Sequence, residues 1–145
     1  MEYTYRESLP KGCPLPEAVH PEGLTVFRLH AQEKFCDSDL DSYVKLHSGK
    51  AMKGINECVQ FGVSVWETEA HASDVLASGR KNRWKFVSEL RLCKGSGMIL
   101  HTKHGNPQPT SRHLTWWVAQ PICYEIVQTL PLPTQKEKDN ETHKT

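Results

Sequence analysis

The segment from Val59 to Ala72 constrains the fold of this chain most, because a strand pattern runs directly into a helix pattern. Residues 59–66 alternate with the period of two that is typical of a strand. The row predicted to face inward is Val59, Phe61, Val63 and Val65. The following helix is predicted to begin at the N-cap Thr68 and to end at Gly79. This succession favours a fold in which helices pack on a sheet.

Proline positions predict the domain organisation. The chain of 145 residues is long enough for one domain with its own core. Four of the nine prolines lie before residue 23, and none lies between Glu22 and Asn106. We therefore expect an extended N-terminal arm over residues 1–23 and a globular domain over 24–130. Residues 131–145 are polar beyond the last proline and are predicted to be a disordered tail.

Local patterns predict an α+β fold. A helix is expected from Asp37 or Ser38 to Gly49, where capping and acidic residues precede an apolar stripe. The other predicted strands are 24–30, 84–92, 98–102, 112–119 and 122–130. In strand 84–92, Phe86 and Leu90 are expected to face inward and Val87 outward, and the turn at 95–97 suggests a hairpin with strand 98–102. The predicted architecture is a mostly antiparallel sheet of five to six strands, with two short helices packed on one face.

Charge and cysteine usage narrow the partners and the compartment. The formal net charge is +1, so nucleic acid is not an expected partner. No apolar run approaches the roughly 20 residues of a membrane-spanning helix, so no membrane partner is expected. The five cysteines are odd in number and never in Cys-x-x-Cys spacing: Cys13, Cys36, Cys58, Cys93 and Cys123. This pattern argues against a disulfide framework and predicts a cytoplasmic protein.

A loose group of metal-ligand types lies near the C-terminal end of the predicted domain. Its members are Cys93, His101, His104, His113 and Cys123. Zinc accepts these ligands, but structural zinc sites usually pair them on tight turns, and here only His101 and His104 are closely spaced. We therefore expect no metal, with His101 and His104 as the candidates if one binds.

Two adjacent tryptophans predict a partner surface. Trp116 and Trp117 lie on one predicted strand, so their rings point to opposite faces and at least one belongs to the core. The other is expected to be exposed, as a contact for a partner protein. His113 and the polar loop 103–113 would extend this contact.

In the order of its elements, the chain resembles the ADP-ribosyltransferase-like fold over residues 24–92. The matching positions are Arg28 in Val-Phe-Arg-Leu-His, Ser64 in Gly-Val-Ser-Val-Trp, and Glu89 in Val-Ser-Glu-Leu, with His30 as an alternative to Arg28. The resemblance implies an NAD cleft in which the basic residue holds a phosphate, Ser64 positions the ribose, and Glu89 stabilises a cationic transition state. The chain departs from the family in lacking the Ser-Thr-Ser motif and in carrying Val87 two residues before Glu89.

Three functional hypotheses follow. The first is a small cytoplasmic interaction or regulatory module without catalysis or cofactor, whose partner is another protein. The second is an NAD-dependent ADP-ribosyltransferase-like enzyme, a toxin or effector, with Arg28, Ser64 and Glu89 as catalytic residues. The third is a zinc-stabilised binding domain. The enzyme hypothesis requires Arg28, Ser64 and Glu89 to line one open cleft.

Overall fold

A computed structural model describes residues 3–47, 49–50, 52, 56–73 and 84–132 and shows a single antiparallel sheet. The described strands are β1 (Thr4–Tyr5), β2 (Thr25–His30), β3 (Val63–Trp66), β4 (Phe86–Leu92), β5 (Gly97–Lys103), β6 (Asn106–Pro107), β7 (His113–Gln120) and β8 (Tyr124–Pro131). Their order is β6-β5-β7-β3-β2-β4-β8, and β1 pairs with the end of β7. The prediction of a mostly antiparallel sheet with short helices is thus confirmed, but the predicted number of five to six strands is too low. The two-residue strands β1 and β6 are too short to show a periodicity.

The helices of the described residues are shorter than the sequence suggests. They are a 3-10 helix (Asp37–Leu40), α1 (Tyr43–Leu46), α2 (Glu57–Gln60) and α3 (Glu69–Ser73). The single helix predicted from residue 37 is interrupted at Asp41, whose ψ of 137° is extended. Ser42 then starts α1, because its Oγ accepts a hydrogen bond from the Lys45 backbone N–H at 3.2 Å. Residues 74–79 of the second predicted helix lie outside the described residues.

The strand predicted over 59–66 begins only at Val63, and the prediction for its first residues is wrong. Residues 57–60 form α2, because the Asn56 side chain accepts a hydrogen bond from the Val59 N–H at 3.3 Å and caps the helix. Gly62 then allows close packing, since a Cβ there would overlap the Thr115 side chain. Phe61 is consequently only half-buried and does not head an inward row.

The predicted hairpin between strands 84–92 and 98–102 is also wrong. Strand β4 pairs with β2 and β8, whereas β5 pairs with β7 and β6. Gly97 carries a φ of +126°, and a Cβ there would overlap the Trp117 carbonyl, so the chain passes close against β7 at this point. The turn directs the chain away from β4 instead of back along it.

The central strands of the sheet are covered on both faces by other parts of the chain. On the first face, Phe35 and Leu40 pack on a core of Val26, Val63, Val65, Leu90, Leu92, Ile99, Leu114, Trp116 and Val118. On the second face, Ala72 of α3 packs with Leu29 and Val87. Val87 is therefore buried rather than outward-facing, and the helices do not all lie on one face.

The N-terminal segment contacts the second face of the sheet. Its apolar residues pack against Trp117, Cys58 and Val59; they are Tyr5, Leu9, Cys13, Leu15 and Ala18. Arg6 also binds Asp41 at 2.8 Å. The domain boundaries at residues 23 and 131 remain predictions, and residues 133–145 of the predicted tail lie outside the described residues.

Two disulfides overturn the prediction that the chain lacks a disulfide framework. Cys13 is bonded to Cys58 and Cys93 to Cys123, with Cα–Cα distances of 5.4 and 5.6 Å, in the range that disulfides span. Cys36 is a free, exposed thiol. The spacing of the cysteines along the sequence does not predict these bonds, because the pairing of strands in the sheet brings distant cysteines together. The register of β4 with β8, for instance, brings the residues just beyond their paired ends together.

Candidate functional site

The three residues nominated by the family resemblance do not share a cleft. Across β2 and β4, Arg28 pairs with Ser88, and Phe27 pairs with Glu89. Because paired residues project to the same face and successive residues alternate, Arg28 and Glu89 lie on opposite faces of the sheet. The expected convergence of Arg28, Ser64 and Glu89 is therefore wrong.

Arg28 and Glu89 instead make structural contacts. Arg28 is buried, and it donates from Nη1 to the Ser64 carbonyl at 2.8 Å and from Nε to the Asp39 carbonyl at 3.0 Å. These bonds join β2 to β3 and to the 3-10 helix. The Glu89 carboxylate accepts a hydrogen bond from the Gln128 amide at 2.7 Å.

The predicted partner tryptophans are both internal. Trp116 and Trp117 are each 0% exposed, so the prediction that one of them contacts a partner is wrong. Their indole N–H groups donate to the Ser96 carbonyl at 3.0 Å and to the Cys58 carbonyl at 2.8 Å. The two rings point to opposite faces of β7, as predicted. Both are buried because other segments cover each face of β7.

His113, the third predicted contact residue, is held inside the sheet. Its Nδ1 lies 3.0 Å from Thr102 Oγ1 and 3.2 Å from the Thr102 carbonyl, and its ring meets Trp66 edge-on at 5.2 Å. Burial lowers the pKa of His113. These contacts assign His113 a packing role.

The residues considered as metal ligands are dispersed. Cys93 and Cys123 form a disulfide, and His101 Nε2 is hydrogen-bonded to the Glu67 carboxylate. His104 is exposed in the following turn, at a φ of +53°. Within the described ranges, no three His, Cys, Asp or Glu side chains are grouped so as to hold a metal ion.

A cavity of about 400 Å³ is a concave site formed by the described residues. Its walls are the segment Val19–Leu24 on one side, and Ile99–His101 with Leu114 on the other. The first wall is held at both ends by backbone hydrogen bonds. Val19 and Ile99 exchange bonds of 2.8 and 2.9 Å, and the Gly23 N–H donates to the Leu92 carbonyl at 2.9 Å. The segment thus spans from β5 to β4 and encloses the space beneath it.

The mouth of the cavity carries exposed apolar side chains. Val19 is 58% exposed and Leu24 is 36% exposed, although both belong to the cavity wall. Inside, Ile99 and Leu114 are each 1% exposed. An apolar cavity that continues into an apolar rim is typical of a binding site.

A charged cluster lies at the His101 side of the cavity. The Glu67 carboxylate bonds His101 Nε2 with one oxygen and Arg112 Nη1 at 2.7 Å with the other. The hydrogen bond from Arg112, followed by that from His101, lowers the pKa of Glu67 and favours the ionised carboxylate. His101 precedes the exposed loop 103–112, and Arg112 ends it. Glu67 therefore ties together both ends of this loop beside the cavity.

Neither the first wall nor Glu67 is singled out by the sequence patterns. Val19–Leu24 belongs to the proline-rich arm, and Glu67 lies in the connection between a strand and a helix. Their partners are distant along the chain, so no local periodicity reports the contacts. The exposed loop and His101 are the parts of the site that sequence analysis identified.

Comparison of the chain with protein-family models, curated proteins and solved structures finds no match. In the part of the chain that the structure describes, no helix has both the length and the apolar character to cross a membrane.

The buried His30 and the half-buried His113 lead to the prediction that acid destabilises the fold. Burial lowers the pKa of His30 and of His113 below their ordinary value of 6.5. The unfolded chain then binds more protons, so the free energy of unfolding should fall as the pH drops from about 6.5 toward the folded-state pKa values. Urea unfolding between about pH 7.5 and 5.5 measures this, and His113→Asn should reduce the slope. An unchanged urea midpoint over this range would show that neither histidine titrates with unfolding.

Proposed function

We propose that the chain is a protein-binding module without catalysis of its own. Its contact surface consists of the cavity, the apolar rim of Val19 and Leu24, and the loop 103–112. The observation that carries the proposal is the 400 Å³ cavity, whose apolar wall continues into exposed side chains at its mouth. The bound group is an aromatic side chain presented by another protein.

The size and the lining of the site support an aromatic side chain. The volume of about 400 Å³ lies within the roughly 300–1,000 Å³ that ligand pockets span, which accommodates one aromatic ring. Aromatic anchors also supply much of the free energy in protein interfaces, because they bury a large area with few rotatable bonds.

The loop 103–112 adds a polar border to the contact surface. It contains Lys103 and Arg112 and no acidic residue, and most of its side chains are exposed. Arg112 is already held by Glu67, so Lys103 is the cation more readily offered to a partner. A partner with a carboxylate next to its aromatic residue would suit this border.

The other two functional hypotheses find less support. The NAD-dependent enzyme required Arg28 and Glu89 in one cleft, and they project from opposite faces. The zinc-stabilised domain relied on Cys93 and Cys123, whose thiols are consumed by a disulfide, and on His101, which Glu67 engages. We therefore retain the binding module.

The compartment is part of this proposal. A cytoplasmic location was predicted from the scattered cysteines, but four of the five form disulfides. Because disulfides persist mainly under oxidising conditions, we propose that the module works in an oxidising compartment.

A capped alanyl-phenylalanyl-alanine peptide tests the proposed function. Titrated into isotope-labelled protein, it should shift the backbone amide resonances of Val19–Leu24 and Ile99–His101. Val19→Asp and Leu24→Asp should each weaken binding about tenfold or more, since burying such a side chain contributes roughly 1.5–3 kcal/mol.

Ile126→Asp is the matched control for these variants. Ile126 is 43% exposed, like the rim residues, but it lies on β8 outside the contact surface. It should leave peptide binding unchanged. An absence of shifts at the cavity, or an equal loss of binding in Ile126→Asp, would contradict the proposal.

A further inference from the structure

We infer that the aromatic side chain taken into the cavity is a tyrosine, whose hydroxyl donates a hydrogen bond to His101. This inference rests on the proposed function and specifies its ligand. It follows from the position of His101 in the cavity wall and from the partner of its other ring nitrogen.

The Glu67 carboxylate determines which nitrogen of His101 carries the proton. An ionised carboxylate only accepts hydrogen bonds, so the Nε2 that faces it must be the donor. In a neutral imidazole the other nitrogen is then an acceptor. No hydrogen bond to His101 Nδ1 comes from the described part of the chain, which leaves this nitrogen for a ligand.

His20, the other histidine of the cavity wall, has no partner among the described residues that fixes which of its ring nitrogens accepts a hydrogen bond. His20 Nδ1 lies 2.8 Å from the Tyr3 hydroxyl, which both donates and accepts hydrogen bonds. That contact is compatible with either tautomer of His20. His101 is thus the histidine of the wall whose acceptor role follows from its partner.

Tyrosine combines the two features that the cavity requires. Its ring suits the apolar wall of Leu24, Ile99 and Leu114, and its one polar side-chain atom lies at the tip. A phenylalanine in the same position would leave the acceptor of His101 without a partner once water is displaced. The indole N–H of tryptophan also donates, but it lies at the side of a larger ring system.

Matched capped tripeptides test the inference. Their central residue is tyrosine, phenylalanine, O-methyltyrosine or tryptophan, with alanine on either side. The tyrosine peptide should bind roughly three- to tenfold more tightly than the phenylalanine peptide, the range for one net hydrogen bond. The O-methyltyrosine and tryptophan peptides should show no such gain, because the first lacks the donor and the second displaces it from the tip.

Two histidine variants locate the acceptor. His101→Phe should abolish the preference for tyrosine, so that the tyrosine and phenylalanine peptides bind this variant equally. His20→Phe should retain the preference. Amide resonances remote from the cavity show whether each variant is folded, and His101→Leu replaces His101→Phe if that variant is not.

The possible outcomes separate this inference from the proposed function. If neither the tyrosine nor the phenylalanine peptide binds, the proposed function fails. If both bind equally, the cavity is a binding site but the tyrosine inference is overturned. Binding of the O-methyltyrosine or tryptophan peptide as tight as that of the tyrosine peptide, or a preference for tyrosine that persists in His101→Phe, would also overturn it.

Discussion

Trp117→Ala is expected to lower the free energy of unfolding by about 3–5 kcal/mol, and Trp116→Ala by a similar amount. Each indole is 0% exposed, so its removal leaves a large cavity. Each also removes one of the hydrogen bonds that a backbone carbonyl accepts, that of Cys58 for Trp117 and that of Ser96 for Trp116; these carbonyls keep the backbone N–H donors of Phe61 and Ala119. Either change would remove a large fraction of the roughly 5–15 kcal/mol by which a typical domain is stable.

Urea unfolding followed by circular dichroism measures this loss, with Phe61→Ala and Phe86→Ala as controls. Both phenylalanines are only half-buried, so each should cost less than either tryptophan. If Trp117→Ala lost under about 1 kcal/mol, the N-terminal segment would not cover this face of the sheet in solution. Equal stability losses in all four variants would likewise contradict the burial difference.

The sequence predicted the longer strands well, because alternation is a local property. Strands β2, β7 and β8 follow the predicted segments 24–30, 112–119 and 122–130 within about two residues. Each is at least six residues long, so its period of two is visible in the sequence. The resulting sheet determines which residues can line the cavity.

Short elements were predicted poorly because single contacts determine them. The apolar pattern from Val59 to Val65 favours one strand, yet the Asn56 cap turns its first residues into α2. Similarly, Ser42 divides a helix whose stripe is otherwise regular. In both places one side chain–backbone hydrogen bond overrides the periodicity.

The candidate site could be predicted only in part. The loop 103–113 was predicted as a polar contact surface and His101 as a candidate metal ligand, but their importance at this site depends on Glu67 and on Val19–Leu24. These join the site through pairings between distant strands and through the segment that crosses from β5 to β4. Likewise, the prediction that Arg28 and Glu89 converge compared residue order alone, whereas the register of β2 with β4 decides which face each one occupies.

Replacing both Cys13 and Cys58 by alanine is expected to destabilise the protein by about 4 kcal/mol in the chain-entropy model. The disulfide closes a loop with a sequence separation of 45, so breaking it gives the unfolded chain much more conformational freedom. In the native state it also fastens the N-terminal segment next to Trp117. We expect a lower melting temperature, and greater accessibility of Trp117 to a fluorescence quencher.

Two further measurements isolate the cause of this destabilisation. A reducing agent should lower the melting temperature of the wild type, but it should lower that of the double variant less, because only the Cys93–Cys123 bond remains to be reduced. Cys36→Ala serves as the matched control, since this thiol is exposed and lies outside both disulfides, and its loss should change stability by no more than about 0.5 kcal/mol. If the double variant is as stable as Cys36→Ala, packing alone holds the N-terminal segment on the sheet. The first wall of the cavity would then keep its place under reducing conditions, because Val19–Leu24 continues directly from that segment.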